Sequence, residues 1–172
     1  MPRTYRLGRA EQPLPDGVGL DLCGFLARNN PGTGQRDALH VRALCLDDGT
    51  TKIVWAAADV LAISVQSASR IRREAARRFG VRSGHVTVSA THTHSAPATV
   101  FLANCGSIDR RWLRACEACV VETIGDAIRN TGTRVHAEFA ATDATGFARN
   151  RRTLKRDGLL TMGVVPPEDT QR

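Results

Sequence analysis

The sequence predicts an α/β fold: a mixed β-sheet with flanking helices in the order β-β-α-β-α-β, sandwich-like in its layering. Three observations carry this. Two strand-like runs, His40 to Leu46 and Lys52 to Ala58, flank Asp47-Asp48-Gly49, a hairpin turn signal. A helical pattern from about Ser64 to Phe79 leads from the second run to an alternating, β-branched run at His85 to Ala90. Strand, helix, strand in that order implies a right-handed crossover to a parallel neighbour. A second helical pattern, about Asp109 to Asn130, is followed by a further strand, Arg134 to Thr142.

Residues 1 to 37 are rich in Gly, Pro, Asn and Asp and read as a loop-rich lead-in. In the first helix Val65, Ala68, Ile71, Ala75 and Phe79 share a face opposite the arginines, and Gly80 is its expected stop. Asp109 is the expected N-cap of the second helix, with Gly132 just beyond its end. Leu159 to Val165 is a last strand candidate before a polar tail, 166 to 172. The expected organisation is one partial domain over 1–172, with an α/β core at 38–165.

Composition narrows the function classes. With 42% hydrophobic and 24% charged residues the chain reads as globular rather than disordered or fibrous. The net charge of +7 is largely arginine, and Arg70, Arg72, Arg73, Arg77, Arg78 and Arg82 cluster on one helix and its exit. No aromatic platform or nucleic-acid motif accompanies them, so a solvated helix face is expected and no specific nucleic acid. Attraction to an acidic membrane surface is a fair expectation from the charge.

Five cysteines, with no framework spacing, suggest reduced thiols. The Cys116-x-x-Cys119 pair lies mid-helix beside Trp112, Val120 and Ile124, which favours core packing over a metal or redox site. No run is long and apolar enough for a membrane span, and no signal core precedes Gly17. The expected location is cytoplasmic as written, and secreted if the true start lies upstream.

The most informative stretch is Val88-Ser89-Ala90-Thr91-His92-Thr93-His94-Ser95-Ala96-Pro97. It sits at the carboxyl end of an expected parallel strand, where open α/β sheets place ligand sites. If the strand stays extended, His92 and His94 project to one side and can share metal binding and proton or oxyanion contact. Asp59, at another strand end, either orients one of these histidines or caps the following turn. Ser95 beside His94 invites a nucleophile reading, which ranks below a metal-assisted one because the histidine has no acid partner. His40, His85 and His136 read as structural.

Thr91-His92-Thr93-His94-Ser95-Ala96-Pro97 resembles the Thr-His-Thr-His-Ser-Gly-Pro signature of the neutral, non-lysosomal ceramidase family, carried at a strand end of its amino-terminal domain. The resemblance extends to Gly24-Phe25 with Arg28, Arg42-Ala43-Leu44, Ala57-Ala58-Asp59 and Asn150-Arg151-Arg152, and it spans roughly residues 19 to 165. It implies the amino-terminal portion of a zinc-dependent amidase that hydrolyses an N-acyl amide bond by metal-activated water. His92 would be the Zn2+ ligand, His94 and Arg151 the catalytic contacts to substrate or oxyanion, and Asp59, Ser95 and Asn150 substrate-binding or supporting residues. The implied partners are a small-molecule or lipid amide substrate and the carboxyl-terminal remainder of the enzyme, which in that family carries a second His, a Glu and a Tyr. Ala96, Ala98 and Thr99 replace glycines of the pattern and are expected to narrow a ligand's approach to the backbone. The alternative is a catalytically silent truncated fragment acting as a binding or assembly module.

Overall fold

The structure, a computed structural model, describes residues 4–26, 28, 30–147, 152–155 and 158–162. The chain divides into two compact units, Met1–Ala137 and Glu138–Arg172. The first holds strands β1 (Thr4–Pro13), β2 (His40–Asp47), β3 (Lys52–Ala58), β4 (Val86–Ala90) and β5 (Thr133–His136), with helices α1 (Val65–Phe79) and α2 (Arg110–Arg129). The second holds a small antiparallel pair, β6 (Arg152–Leu154) and β7 (Leu160–Met162).

The five strands form one mixed sheet in the order β4-β3-β2-β1-β5. β2 and β3 are the antiparallel hairpin that the Asp47-Asp48-Gly49 turn announces. Asp47 and Asp48 carboxylates accept from the Gly49, Thr50 and Thr51 amides and lock it. β4 returns parallel to β3, the outcome that strand, helix, strand implies.

Both helices begin and end where their capping residues stand. The Ser64 side chain accepts from the Ser67 amide, and Gly80, at a φ of 67°, closes α1 in the left-handed conformation. The Asp109 carboxylate accepts from the Trp112 amide to start α2. Val65, expected on the buried face of α1, is 79% exposed, and Ser67 takes the inward place with Ile71 and Ala75. Ser67 is accommodated inside because the Ser64 cap hydroxyl satisfies it.

The core lies between the sheet and the helices. Val41, Ala43 and Cys45 of β2 and Val54, Ala56 and Ala58 of β3 face Ile71, Ala75, Cys116, Val120 and Ile124. Cys116 packs there as expected of a buried helix face, and burial pushes its thiol up to about 12. Cys119 is half-buried beside the Pro13 carbonyl, which its thiol reaches at 3.4 Å. The arginine face is more than solvated. Arg70 pairs with Glu117 at 2.6 Å and Arg78 with Glu122 at 2.5 Å, tying α1 to α2.

Two expectations are corrected. The lead-in is not loop throughout, because Thr4–Pro13 pairs with β2 on one side and β5 on the other. It escapes a periodicity reading because its buried position is Gly8. A Cβ there would lie 1.9 Å from the Ala127 carbonyl oxygen, so α2 crosses directly over a residue with no side chain. The strand expected over Arg134 to Thr142 is four residues long, Thr133–His136, and pairs with β1 from Thr4 to Leu7. The strand expected over Leu159 to Val165 is observed as β7, paired with β6 in a sheet of its own. Residues 163–172 lie outside the described residues.

Candidate functional site

β4 ends at Ala90, and the chain then turns sharply at His92, whose φ of 66° lies in the left-handed region. A non-glycine residue there is strained by about 1–2 kcal/mol and persists where its surroundings over-determine it. Here they do: the Thr91 amide donates to the Ala58 carbonyl and the His92 amide to the Val60 carbonyl. The extended geometry expected to bring His92 and His94 to one side therefore does not occur, yet the two rings still meet. Their centroids are 5.1 Å apart, edge to face.

The His92 Nδ1 lies 2.8 Å from the Leu61 carbonyl oxygen. A carbonyl only accepts, so Nδ1 carries the proton, and the Nε2 lone pair of this exposed ring is left available. That is the arrangement by which a histidine ligand is oriented by a backbone carbonyl and fixed in its metal-binding tautomer.

His94 is held from the amino-terminal loop. The Cys23 amide donates to the Ala96 carbonyl and the Ala98 amide to the Asp21 carbonyl, which lashes residues 21–23 to the stretch after the histidines. Gly24 then passes against the ring: at its φ of +118° a Cβ would lie 2.5 Å from the His94 Cγ. Phe25 meets the same ring at 5.0 Å, and Arg28 covers Phe25 at 4.8 Å while its guanidinium donates to the His94 carbonyl at 2.7 Å. The Gly24-Phe25 and Arg28 residues that accompany the signature in sequence thus have a physical role, which is to seat His94 and bring a cation beside it.

Asp59 sits one shell back. Its carboxylate accepts from the His40 amide at 2.9 Å and from Arg42 at 3.1 Å. Partial burial pushes its pKa up, and the His40 amide, the Arg42 guanidinium and the Thr91 hydroxyl together outweigh that and hold it below the usual carboxylate value. It acts on the residue before His92, and the orienting acceptor for His92 itself is Leu61, which no side-chain motif reveals. Ser95 is exposed, its amide 3.3 Å from the Thr93 hydroxyl. Asn150 and Arg151 lie outside the described residues.

Thr93, Ser95 and Pro97 line one wall of a cavity of about 450 Å³, whose other walls include Asp16, Leu22 and Arg36. Ala96, Ala98 and Thr99 do not narrow it. Both alanines are buried, and the Thr99 hydroxyl is turned inward to the Ala62 carbonyl at 2.6 Å.

Chemically, the pair offers one preset imidazole lone pair, a second imidazole beside it and a nearby guanidinium. Among the described residues no group of three or more His, Cys, Asp or Glu side chains is arranged to hold a metal ion. The donor chemistry of His92 fits one zinc ligand, and a catalytic zinc takes three protein ligands and a water.

Comparison with solved structures matches this architecture. A ceramidase complexed with C2 superposes with a TM-score of 0.65 at 19% identity over 76% of this chain. The fold is that of a segment of neutral ceramidase. Neutral ceramidase from Pseudomonas aeruginosa gives a TM-score of 0.61 at 20% identity, again over 76% of this chain. The chain spans 22% of the length of each of these proteins. No family model matches the sequence. Among the described residues no helix is long and apolar enough to cross a membrane.

Proposed function

We propose that this chain is the histidine-bearing portion of a zinc-dependent amidase of ceramidase type, acting on an N-acyl amide together with chain that supplies the remaining metal ligands. The observation that carries the reading is the Leu61 carbonyl on His92 Nδ1, since it commits Nε2 to a ligand's lone pair. Zinc, when bound, supplies a Lewis acid and lowers the pKa of water toward neutrality. His92 binds through Nε2. His94, kept in place by Gly24 and Phe25, and Arg151 of the Asn150-Arg151-Arg152 run supply donors where negative charge grows on the amide oxygen. The cavity beside Thr93 and Ser95 receives the amide substrate.

The zinc content and amidase turnover of residues 1–172 test this. Weak, exchangeable zinc that is lost in His92→Ala, with no useful turnover, is expected of a site lacking most of its ligands. In a protein extended by a second His, a Glu and a Tyr, tight zinc and turnover should appear, His92→Ala should abolish both, and His94→Ala and Arg151→Ala should lower turnover with zinc retained. Stoichiometric zinc unaffected by His92→Ala would refute the assignment. The second reading is a catalytically silent binding or assembly module. An extended protein that stays metal-free and inactive would establish that one.

A further inference from the structure

Apart from the core between sheet and helices, the chain holds a second, smaller buried cluster made of Cys23, Leu61, Ala98 and Cys105. Two of its four members are thiols, and both are free. The cluster adjoins the residues that present the histidines. Leu61 supplies the carbonyl on His92 Nδ1, and Cys23 precedes the Gly24 that passes against the His94 ring.

Three stretches of chain are joined around the two thiols. The Cys23 amide donates to the Ala96 carbonyl, and Leu22 pairs with Pro97. The Ser107 amide donates to the Asp21 carboxylate at 2.9 Å. Gly106 permits the closest approach, since a Cβ there would lie 2.9 Å from the Asp21 Cβ and 3.1 Å from the Leu22 carbonyl oxygen. Residues 105–107 are thereby laid against residues 21–23, with Cys105 and Cys23 in one cluster. Burial pushes the Cys23 thiol above its usual value and the neighbouring Cys105 adds to that, against the Gly24 amide and Arg28. The remaining cysteines are placed elsewhere. Cys45 lies in the main core beside the Thr131 hydroxyl, and Cys116 lies there with its thiol pushed up to about 12, which leaves almost no thiolate at neutral pH. Cys119 reaches the Pro13 carbonyl.

We propose that Cys23 and Cys105 form a reversible disulfide that fastens the loop seating His94 to the loop at 100–107. Opposed thiols on abutting segments are bridged with little backbone movement. The oxidant is a small-molecule disulfide, such as glutathione disulfide. Cys105 is the first to meet it, because its loop carries the exposed Phe101 and Leu102 and turns at Asn104 and Gly106, both at positive φ, so local opening uncovers that thiol. The Cys105 thiolate attacks one sulfur of the oxidant and releases a glutathione thiolate. The Cys23 thiolate then attacks the Cys105 sulfur and releases the second. The two protons lost by the protein thiols go to the two departing thiolates, so one protein disulfide forms as one glutathione disulfide is reduced. The closed loop, 23 to 105, encloses β2, β3, α1, β4 and both histidines, and its length makes the restriction of the unfolded chain large. The inference rests on neither zinc nor the amidase reading.

Residues 1–172, equilibrated with excess glutathione disulfide, alkylated after denaturation and digested, should yield one linked peptide pair, Cys23 to Cys105, with Cys45 and Cys116 alkylated. Oxidation should raise the melting midpoint by about 5–10 °C, and dithiothreitol should reverse it. Cys23→Ala and Cys105→Ala should each remove the rise, and Cys116→Ala should retain it. The linked peptide is read on the wild type, so the test holds whether or not these variants fold. Both thiols left alkylated, a glutathione adduct on Cys105 that never resolves, a bridge from either thiol to Cys119, or a bridge that leaves the midpoint unmoved would each overturn the proposal.

Discussion

The His92 imidazole donates from Nδ1 to the Leu61 carbonyl at 2.8 Å, across a turn in which His92 itself has a φ of 66°. The hydrogen bond fixes a tautomer and the turn aims the ring. In nitrogen-15 correlation spectra the neutral ring should therefore appear as the Nδ1–H form, the minor tautomer of free histidine in water. An Nε2–H pattern for His92 would remove the basis for metal binding. The backbone makes a separate forecast: His92→Gly should be about 0.5–1 kcal/mol more stable than His92→Ala, because only glycine adopts this φ without strain. Equal thermal melts of the two would show that the turn is relaxed.

Gly24 should tolerate no side chain. Its φ of +118° and the 2.5 Å approach of a Cβ to the His94 ring combine backbone strain with a clash. Gly24→Ala is expected to lose about 2–4 kcal/mol or to displace His94 from Phe25. A Gly24→Ala protein with wild-type stability and an unshifted His94 ring resonance would contradict the close approach.

Gly8 is the stricter case, because the atom that a Cβ would meet at 1.9 Å is the backbone oxygen of Ala127 and cannot rotate aside. Gly8→Ala should separate β1 from α2, at about 3 kcal/mol or more. Chemical denaturation reads this directly, and a loss under 1 kcal/mol would mean that β1 can shift without consequence.

Asp59 predicts an acid dependence. Its folded pKa lies below the ordinary carboxylate value, so the stability it contributes is fully present above about pH 4 and is lost as pH falls through the depressed folded value. Asp59→Asn should cost about 1 kcal/mol at pH 7, since Arg42 is half exposed and its pairing is screened. The difference from wild type should shrink as pH falls from about 5 to 2. A gap that is constant with pH would show that the carboxylate's charge is irrelevant.

Much of the fold was legible because its signals are local. Ser64, Gly80 and Asp109 cap the helices they mark, and the Asp47-Asp48-Gly49 turn joins the strands it separates. The periodicity of 71, 75, 116, 120 and 124 is that of a buried helix face, and those residues are buried. β1 was not legible, because a strand whose inward position is glycine carries no apolar alternation. The expected span of β5 ran to Thr142 where the strand ends at His136, since strand propensity along a chain does not mark where pairing stops.

For the site, sequence by itself singled out the candidate residues, His92 and His94, their place at the end of a parallel strand and the accompanying Gly24, Phe25 and Arg28. Tertiary structure alone decided how they are presented. Leu61 is 31 residues from His92, and Arg28 is 66 from His94. A backbone carbonyl has no side-chain signature, and the left-handed turn at His92 is set by hydrogen bonds to Ala58 and Val60 rather than by any preference of histidine. Spacing along the chain can name which groups could act, but the proton on one ring nitrogen is placed by a partner that only folding brings within 2.8 Å.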